Sequence, residues 1–272
     1  MRDDILPPPI LYSYSPGGDW LPACLAGKSL RFSSRLAFND PFDSRPGYYV
    51  DQGRAGTEWL KERVYRLTGV SPAEKLRTLQ RCKHQSRNPR QMEEFMTEAM
   101  LNVIGILCLT EQWNEPLFWG HYAAKHTGIC IGFSTDLDVF RLAEKIVYQD
   151  ELPVILRPQD DNETMVQKAL LTKSRAWEYE CEWRLLKHKL RSTPELHSNM
   201  DPDERMHLDQ RGPGIYQFDP NTIESLTMGM NMPTKVEEFI KASVRDTGRN
   251  IQLFKAARHP TMYKIERKPV RY

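Results

Sequence analysis

The clearest alternation of apolar and polar residues lies in Trp177–Arg184, whose sequence is WEYECEWR. Alternation with a period of two is typical of a β-strand and sorts these side chains onto two faces. One face holds Trp177, Tyr179, Cys181 and Trp183, and the other holds Glu178, Glu180, Glu182 and Arg184. Apolar residues follow at once, so we expect the strand to continue into the core and its charged face to line a pocket. The alternative is a half-buried edge strand whose charges keep it soluble.

Shorter patterns along the chain predict an α+β fold. Apolar segments bounded by Gly, Pro and polar residues predict strands at residues 11–15, 29–33, 103–110, 129–133, 145–149, 215–218, 223–228, 251–255 and 262–267. Helical patterns predict a helix capped by Asp19 that ends at Leu25, and helices over residues 57–67, 72–84, 89–101, 119–126, 163–175 and 234–246. We therefore expect one domain over residues 1–272, with a helical subdomain inserted at about 55–102 and polar loops before residue 162 and at 193–213.

The composition is that of an ordinary globular protein, with 272 residues, 40% of them hydrophobic and 27% charged. The longest apolar runs are too short to cross a bilayer. The N-terminus carries acidic residues and three consecutive prolines, where a signal peptide needs a basic start and an apolar helix. Five scattered cysteines without a CxxC pair favour reduced thiols over disulfides or zinc. We expect a cytoplasmic protein with no membrane partner.

Positive charge is concentrated in two segments, although the net charge is only +2. Residues 61–90 and residues 241–272 each hold nine Lys or Arg against two acidic residues, or +7 by subtraction. Such segments could contact the phosphates of a nucleic acid or an acidic partner protein. The alternative is that the helical segment at 61–90 simply exposes a solvated charged face.

The spacing of histidines and glutamates along the chain bears on which kinds of catalytic site it could form. His121 and His126 lie five residues apart, on different faces of a helix, and no HExxH motif completes a metal site, so we expect no metal. His121 is instead predicted to hydrogen-bond within a pocket, or to be an ordinary buried histidine. On one strand face, Glu180 and Glu182 would lie about 6.5 to 7 Å apart, within the range that glycosidases use. No GxSxG, P-loop or GxGxxG motif occurs.

Four motifs resemble those of a bacterial family of unassigned function. They are Leu11-Tyr12-Ser13-Tyr14, FNDPF at Phe38–Phe42, WxHYxxxHxGICIxF at Trp119–Phe133, and Lys173 followed by WxYExEWR at Trp177–Arg184. That family in turn resembles, in the layout of its motifs, a distant branch of the ADP-ribosyltransferases, which includes toxins and phage-defence enzymes. The resemblance implies an ADP-ribosyltransferase-like fold with a mixed or antiparallel β core. It also implies NAD as substrate, a nucleic acid or protein as acceptor, and an antitoxin or inhibitor protein as a candidate partner.

The resemblance also implies roles for individual residues. Glu182 would be the catalytic glutamate, and Glu180 would orient the incoming nucleophile. By the resemblance, a tyrosine among Tyr12, Tyr14 and Tyr122 would stack on nicotinamide, and Lys173 or Arg184 would fix the carboxylates or meet the pyrophosphate. The best-known transferases have His or Arg at the centre of the first strand, where this chain has Tyr12 and Tyr14. Ser33, Arg35, Asn39 or His121 could take over that NAD contact, since each can donate to a phosphate, ribose or carboxamide.

A cleft that brings Glu182, Tyr14 and His121 together would favour an enzyme. Full pairing of Glu182 with Arg184 or Lys173 outside any pocket would argue against a transferase. The two basic segments favour a nucleic-acid acceptor slightly over a protein one. An NAD glycohydrolase, with water as the nucleophile, and a non-catalytic module that binds nucleic acid or a partner are the alternatives.

Overall fold

The computed structural model describes residues 5–51, 53–65, 71–84, 89–187 and 212–272. The chain divides into two compact units. The first, here called the sheet unit, comprises Met1–Ser34, Ile104–Ile146 and Trp177–Tyr272, and the second, the insert unit, comprises Arg35–Val103 and Val147–Ala176. Up to residue 211, the polar loop predicted at 193–213 lies outside the described residues.

The described strands and helices are numbered in chain order. The strands are β1 (Ile10–Ser15), β2 (Leu30–Ser34), β3 (Gly47–Val50), β4 (Gly105–Thr110), β5 (Ile129–Ser134), β6 (Glu144–Lys145), β7 (Val147–Gln149), β8 (Val154–Arg157), β9 (Thr172–Ser174), β10 (Glu182–Lys187), β11 (Gly214–Tyr216), β12 (Ile223–Met228), β13 (Gln252–Arg258) and β14 (Ile265–Pro269). The α-helices are α1 (Leu21–Leu25), α2 (Arg54–Tyr65), α3 (Pro72–His84), α4 (Pro89–Asn102), α5 (Pro116–His121), α6 (Asn162–Leu170) and α7 (Thr234–Asp246).

Ten of the described strands form one sheet in the sheet unit. Their order is β11-β2-β4-β1-β5-β12-β13-β14, with β10 also paired to β4 and β6 paired to β10. Its described strand pairs are antiparallel except β12 with β13, which is parallel. This mixed, mostly antiparallel sheet with helices confirms the predicted α+β class.

The sheet splits at β4. On one edge of β4, β10 pairs along the whole strand from Gly105 to Thr110. On the other edge, β2 pairs only with Gly105 and Ile106, and β1 pairs only with Thr110. On that edge, Leu107 to Leu109 lie between the pairing with β2 and the pairing with β1, and we call this stretch the β4 gap.

Apolar residues on both sides of the sheet build the core of the sheet unit. All six residues of β5 are buried, as expected for a central strand whose two faces are both covered. Helix α7 contributes Ile240 and Val244, one turn apart on its buried face. Each fully buried aliphatic side chain contributes about 1.5 to 3 kcal/mol by leaving water. The predicted helix at 234–246 is confirmed.

The predicted strand at Trp177–Arg184 is wrong in its first half. A 3-10 helix spans Arg175–Glu180, and β10 begins only at Glu182. Between them, Cys181 has a φ of 44°, in the left-handed region, so the backbone cannot alternate through it. Glu180 and Glu182 are therefore not successive residues on one face of a strand, and the spacing argument for a glycosidase is lost.

Three further local predictions are wrong. Trp20 rather than Asp19 occupies the N-cap of α1, and it makes no side-chain capping bond. Helix α5 ends at His121, since residues 124–126 have positive φ values of 46°, 54° and 69°. The helix predicted at 163–175 ends at Leu170, so Lys173 lies on β9 instead.

The insert unit combines helices with two short parallel strand pairs. The three helices predicted between residues 57 and 101 are confirmed as α2, α3 and α4, whereas β3 and β8, which pair in parallel, were not predicted. The buried guanidinium of Arg157, at the end of β8, donates to Glu93 Oε1 on α4 at 2.8 Å. In the described part of the chain, no helix is both long and apolar enough to span a membrane.

Candidate functional site

A cavity of about 450 Å³ opens in the sheet unit at the β4 gap. Ser13, Tyr14 and Ser15 of β1 form one wall, and Leu107 and Cys108 of β4 lie beside them. β1 and β2 pair with opposite ends of β4, and all three strands line this space. Its volume falls in the range of about 300 to 1,000 Å³ that small-molecule sites have.

The cavity lining combines hydroxyl groups, one guanidinium and apolar walls. The polar contributors are Ser13, Ser15, Ser29, Ser33, Arg31 and Tyr122, and the larger apolar ones are Trp20, Leu30, Ile131 and Phe133. Hydroxyls donate to and accept from sugar hydroxyls, and a guanidinium binds phosphate oxygens. The lining therefore suits a ligand with a ring, sugars and phosphate.

An aromatic cluster borders the cavity. The ring of Tyr14 stacks on Phe118, with centroids 5.0 Å apart and an angle of 9°, and meets Trp119 edge-on at 5.2 Å. Phe118 also contacts Tyr122 at 5.4 Å. Helix α5 supplies Phe118 and Trp119, and it begins where the Glu115 side chain accepts from Leu117 N–H. Burial raises the pKa of Tyr14, so its hydroxyl stays protonated and donates.

Glu180 is hydrogen-bonded to a residue that lines this cavity. The Tyr122 hydroxyl donates to Glu180 Oε1 at 2.8 Å, and Glu180 is only 3% exposed. The Thr110 hydroxyl donates to the Glu180 carbonyl at 2.7 Å and accepts from Gln112 N–H at 3.0 Å. The Tyr14 hydroxyl donates to the carbonyl of the same Gln112 at 3.0 Å. Tyr14, which lines the cavity, is thus linked through the backbone of Gln112 and the hydroxyl of Thr110 to the backbone carbonyl of Glu180.

Glu182 has a different environment. Arg184 donates through Nε to Glu182 Oε1 at 2.6 Å and through Nη2 to Oε2 at 3.2 Å, and both side chains are buried. They are two residues apart on β10 and share a face, as the alternation predicts. Among the described residues, neither Glu182 nor Arg184 lines the cavity; Glu180 does not line it either, but it accepts from Tyr122, which does. The convergence of Glu182 with Tyr14 is therefore not seen at this cavity.

The other predicted residues of the sheet unit are divided between cavity, core and surface. Ser33 lines the cavity. Tyr12 is 8% exposed and packs with Trp119 in the core; its burial raises its pKa, against the opposing charge of Arg267. His121 is exposed, and its ring centroid lies 6.1 Å from that of Tyr122.

Three predicted NAD contacts belong to the insert unit. Arg35 is buried and donates to Asn102 Oδ1 at 2.9 Å, to the Ser44 carbonyl at 2.7 Å and to Glu98. Asn39 is exposed. Lys173 is 8% exposed, with its Nζ 3.6 Å from Asp43 Oδ2. Arg35 and Lys173 therefore take part in the internal charge network of that unit.

Sequence reasoning missed several members of the site. Thr110 and Gln112 stand at the end of an apolar strand, and nothing in their own sequence points to a role, because their bonds depend on where residue 180 lies in space. Phe118 directly precedes the WxHY motif, and its helical spacing of four from Tyr122 was the available signal. Within the described residues, no group of three or more His, Cys, Asp or Glu side chains is placed to hold a metal ion.

Comparison with known proteins identifies one segment. Residues 118–185 match the model of a family described as a protein of unknown function, DUF2971. The matched segment runs from Phe118 to Leu185, so it contains Tyr122, Glu180 and the ion pair of Glu182 with Arg184. No curated protein and no solved structure matches the chain.

Proposed function

We propose that this protein is an ADP-ribosyltransferase that transfers ADP-ribose from NAD to a macromolecule, with Glu180 as its catalytic carboxylate. The observation that supports the proposal is the buried Glu180 carboxylate, held at 2.8 Å by a tyrosine that lines the cavity. A fixed, desolvated carboxylate beside a ligand-sized space is the arrangement that electrostatic catalysis requires.

The cavity offers a matching group for each part of NAD. Arg31 would bind the pyrophosphate, because a guanidinium forms charge-assisted bonds with phosphate oxygens. The four serines would bind ribose hydroxyls. The aromatic wall around Tyr14 would pack against the nicotinamide ring.

The reaction breaks the bond between the nicotinamide nitrogen and ribose C1′. Nicotinamide leaves with the bonding electron pair, and positive charge develops on the ribose. The Glu180 carboxylate would stabilise that charge more in the transition state than in the ground state, which is what accelerates the step. An oxygen or nitrogen of the acceptor then bonds to C1′ and gives up its proton to a carboxylate or to water. The Tyr122 hydroxyl would hold Glu180 in place throughout.

We assign this role to Glu180 rather than to Glu182, which the family resemblance implied. Both oxygens of Glu182 already accept from the guanidinium of Arg184. A carboxylate neutralised in this way has less charge to offer to a ribose cation. Glu182 and Arg184 would instead anchor the start of β10, next to Glu180 in the chain.

We propose a nucleic acid as the acceptor, since both basic segments favour phosphates, and a role as a toxin or phage-defence effector. Hydrolysis of NAD would need only that water replace the acceptor. The paired state of Glu182 favours a second candidate, a binding module without catalysis.

Release of nicotinamide from NAD by the purified protein, with and without RNA, DNA and cell lysate, tests the proposal. The variants are Glu180→Gln, Glu182→Gln and, as matched control, Glu178→Gln, an exposed glutamate of the same 3-10 helix. Wild type and Glu178→Gln should release nicotinamide, and Glu180→Gln should be slower by about 10²-fold or more.

Release without label on any macromolecule would identify a glycohydrolase. Loss in a folded Glu182→Gln variant alone would return the catalytic role to Glu182. Absence of release under every condition would favour the binding module.

A further inference from the structure

The hairpin of β13 and β14 lies at one edge of the sheet and ends in a loop at residues 259–264, HPTMYK. At its tip, Tyr263 is 104% exposed and Met262 is 48% exposed. A completely exposed tyrosine contributes no apolar burial to the fold. Its presence at a loop tip therefore calls for another explanation.

The loop is ordered by its backbone and not by Tyr263. His259 Nδ1 accepts from Thr261 N–H at 3.2 Å and from Met262 N–H at 3.0 Å. Lys264 N–H donates to the Met262 carbonyl at 2.8 Å, and His259 N–H donates to the Lys264 carbonyl at 3.0 Å. The tyrosine is thus displayed from a preorganised loop, which lowers the entropy lost when it binds.

Positive charge surrounds this tip. Residues 255–272 hold six Lys or Arg against one acidic residue, Glu266. Arg258, Lys264, Lys268 and Arg271 are exposed. Glu266 Oε1 lies 3.5 Å from His259 Nε2, and so it is associated with the histidine of the loop.

We propose that this hairpin tip binds single-stranded nucleic acid, with a base stacked on Tyr263 and phosphates on the surrounding cations. Aromatic side chains within a positive surface are the usual means of binding single strands, because every base has a π-face. Positive charge alone would also suit an acidic protein, but the displayed ring favours unpaired bases. The tip's role as an acceptor surface rests on the proposed transferase function, whereas its binding does not.

Strand register places the tip at the end of the sheet where the cavity lies. Ser15 of β1 aligns with Ile129, Met228 and then Lys255 of β13. The two strands run in the same direction, and Arg258 lies three residues beyond Lys255. The offset is about 14 Å across three strand spacings and about 10 Å along the strand. A single-stranded nucleic acid bound at the hairpin tip would therefore reach the end of β1 that lines the cavity.

Fluorescence anisotropy with labelled 12-nucleotide single strands of RNA and of DNA, without NAD, tests the proposal. We expect Tyr263→Ala to weaken binding about 5- to 150-fold, the effect of losing one stacked base. Tyr263→Phe should bind within twofold of wild type. The control Tyr49→Ala, from an exposed tyrosine of β3, should not change binding. Arg258→Gln with Lys264→Gln should reduce the salt slope of log K by about 1.4, because each phosphate contact on a single strand contributes about 0.7.

Equal binding by Tyr263→Ala and wild type would overturn the proposal. The proposal would also be overturned if the protein bound anionic phospholipid vesicles in a way that depends on Tyr263 but did not bind oligonucleotides. Comparing the RNA and DNA oligonucleotides shows which of the two nucleic acids the tip binds more tightly. Glu180→Gln should bind like wild type, so a failed nicotinamide assay with intact binding would reject the transferase and leave the tip proposal standing.

Discussion

Two glutamates that are two residues apart in the chain have opposite environments. Glu180 ends a 3-10 helix and accepts from a neutral phenol at the cavity wall, whereas Glu182 begins β10 and is paired with a buried guanidinium. The left-handed residue Cys181 separates them. The comparison teaches that a paired carboxylate motif does not assign roles by itself, because one carboxylate accepts from a phenol and the other from a guanidinium.

The largest effect is expected for Arg184→Ala. Removing the guanidinium leaves Glu182 as a buried carboxylate without its ion-pair partner, which should lower the free energy of unfolding by about 3 to 5 kcal/mol. Urea denaturation measures this. Arg175→Ala is the control, because its bond to Asp150 is on the surface, with the Arg175 side chain 52% exposed, and such pairs contribute about 1 kcal/mol or less. Similar losses in both variants would mean that the buried pair is not structural.

Tyr122→Phe should have the next largest effect. It removes the hydroxyl that donates to Glu180, and a hydrogen bond to a charged group contributes about 1.5 to 3 kcal/mol. Nicotinamide release should fall while substrate binding, measured by calorimetry, changes little, because the ring that borders the cavity is retained. A variant that loses stability but keeps full activity would separate Glu180 from the reaction.

Thr110→Val should have a smaller effect at the same network. The isosteric side chain cannot donate to the Glu180 carbonyl, and a neutral hydrogen bond contributes about 0.5 to 1.5 kcal/mol. Thermal unfolding measures the loss. Thr261→Val, on the exposed hairpin loop, is the control and should change the free energy of unfolding by less than about 0.5 kcal/mol. Equal losses in the two variants would mean that the Thr110 hydrogen bond does not stabilise the fold.

The smallest effect concerns a third carboxylate, Glu111. Burial raises its pKa, but hydrogen bonds from Lys145 and Trp183 outweigh it, so the pKa is lowered from its ordinary value of 4.5. Since the folded pKa is the lower one, this stabilisation is complete above 4.5 and is lost as the pH falls through the folded pKa. Glu111→Gln should flatten the acid limb of stability in chemical denaturation between about pH 3 and pH 5. An unchanged acid limb would contradict the assignment.

Local periodicity predicted the elements whose backbone is regular. Helix α7 and the strands β1, β5 and β12 follow their hydrophobic patterns because each buries one stripe or both faces. The pattern failed at Trp177–Glu180, where alternation is as strong as in any strand, because the left-handed Cys181 and the bond from Thr110 to Glu180 are set by tertiary structure. The same limit applies to Lys173, whose strand pairs with β7 and could not be inferred from its helical-looking neighbours.

The candidate site was predictable only in part. Tyr14 and Tyr122, from the motifs, and Ser33, from its hydrogen-bonding capacity, were named as NAD-binding residues, and all three line the cavity. Glu180 was named as well. Their partners Thr110, Gln112 and Phe118 were not, since a hydrogen-bonded path is a property of contacts between distant segments. Arg35 was named as an NAD contact but instead bonds within the insert unit. A polar residue after a strand has the same sequence signal whether it binds a ligand or fixes a loop.

The β4 gap also affects how this site would respond to mutation. A ligand that entered the cavity along this edge of β4 would meet its peptide groups, whose positions are fixed by the pairing of β4 with β10 on the opposite edge. Every residue type except proline carries the same peptide N–H and carbonyl. A ligand that hydrogen-bonds to these peptide groups would therefore still be bound after most substitutions of Leu107 to Leu109. An alanine scan of these residues would not reveal such binding.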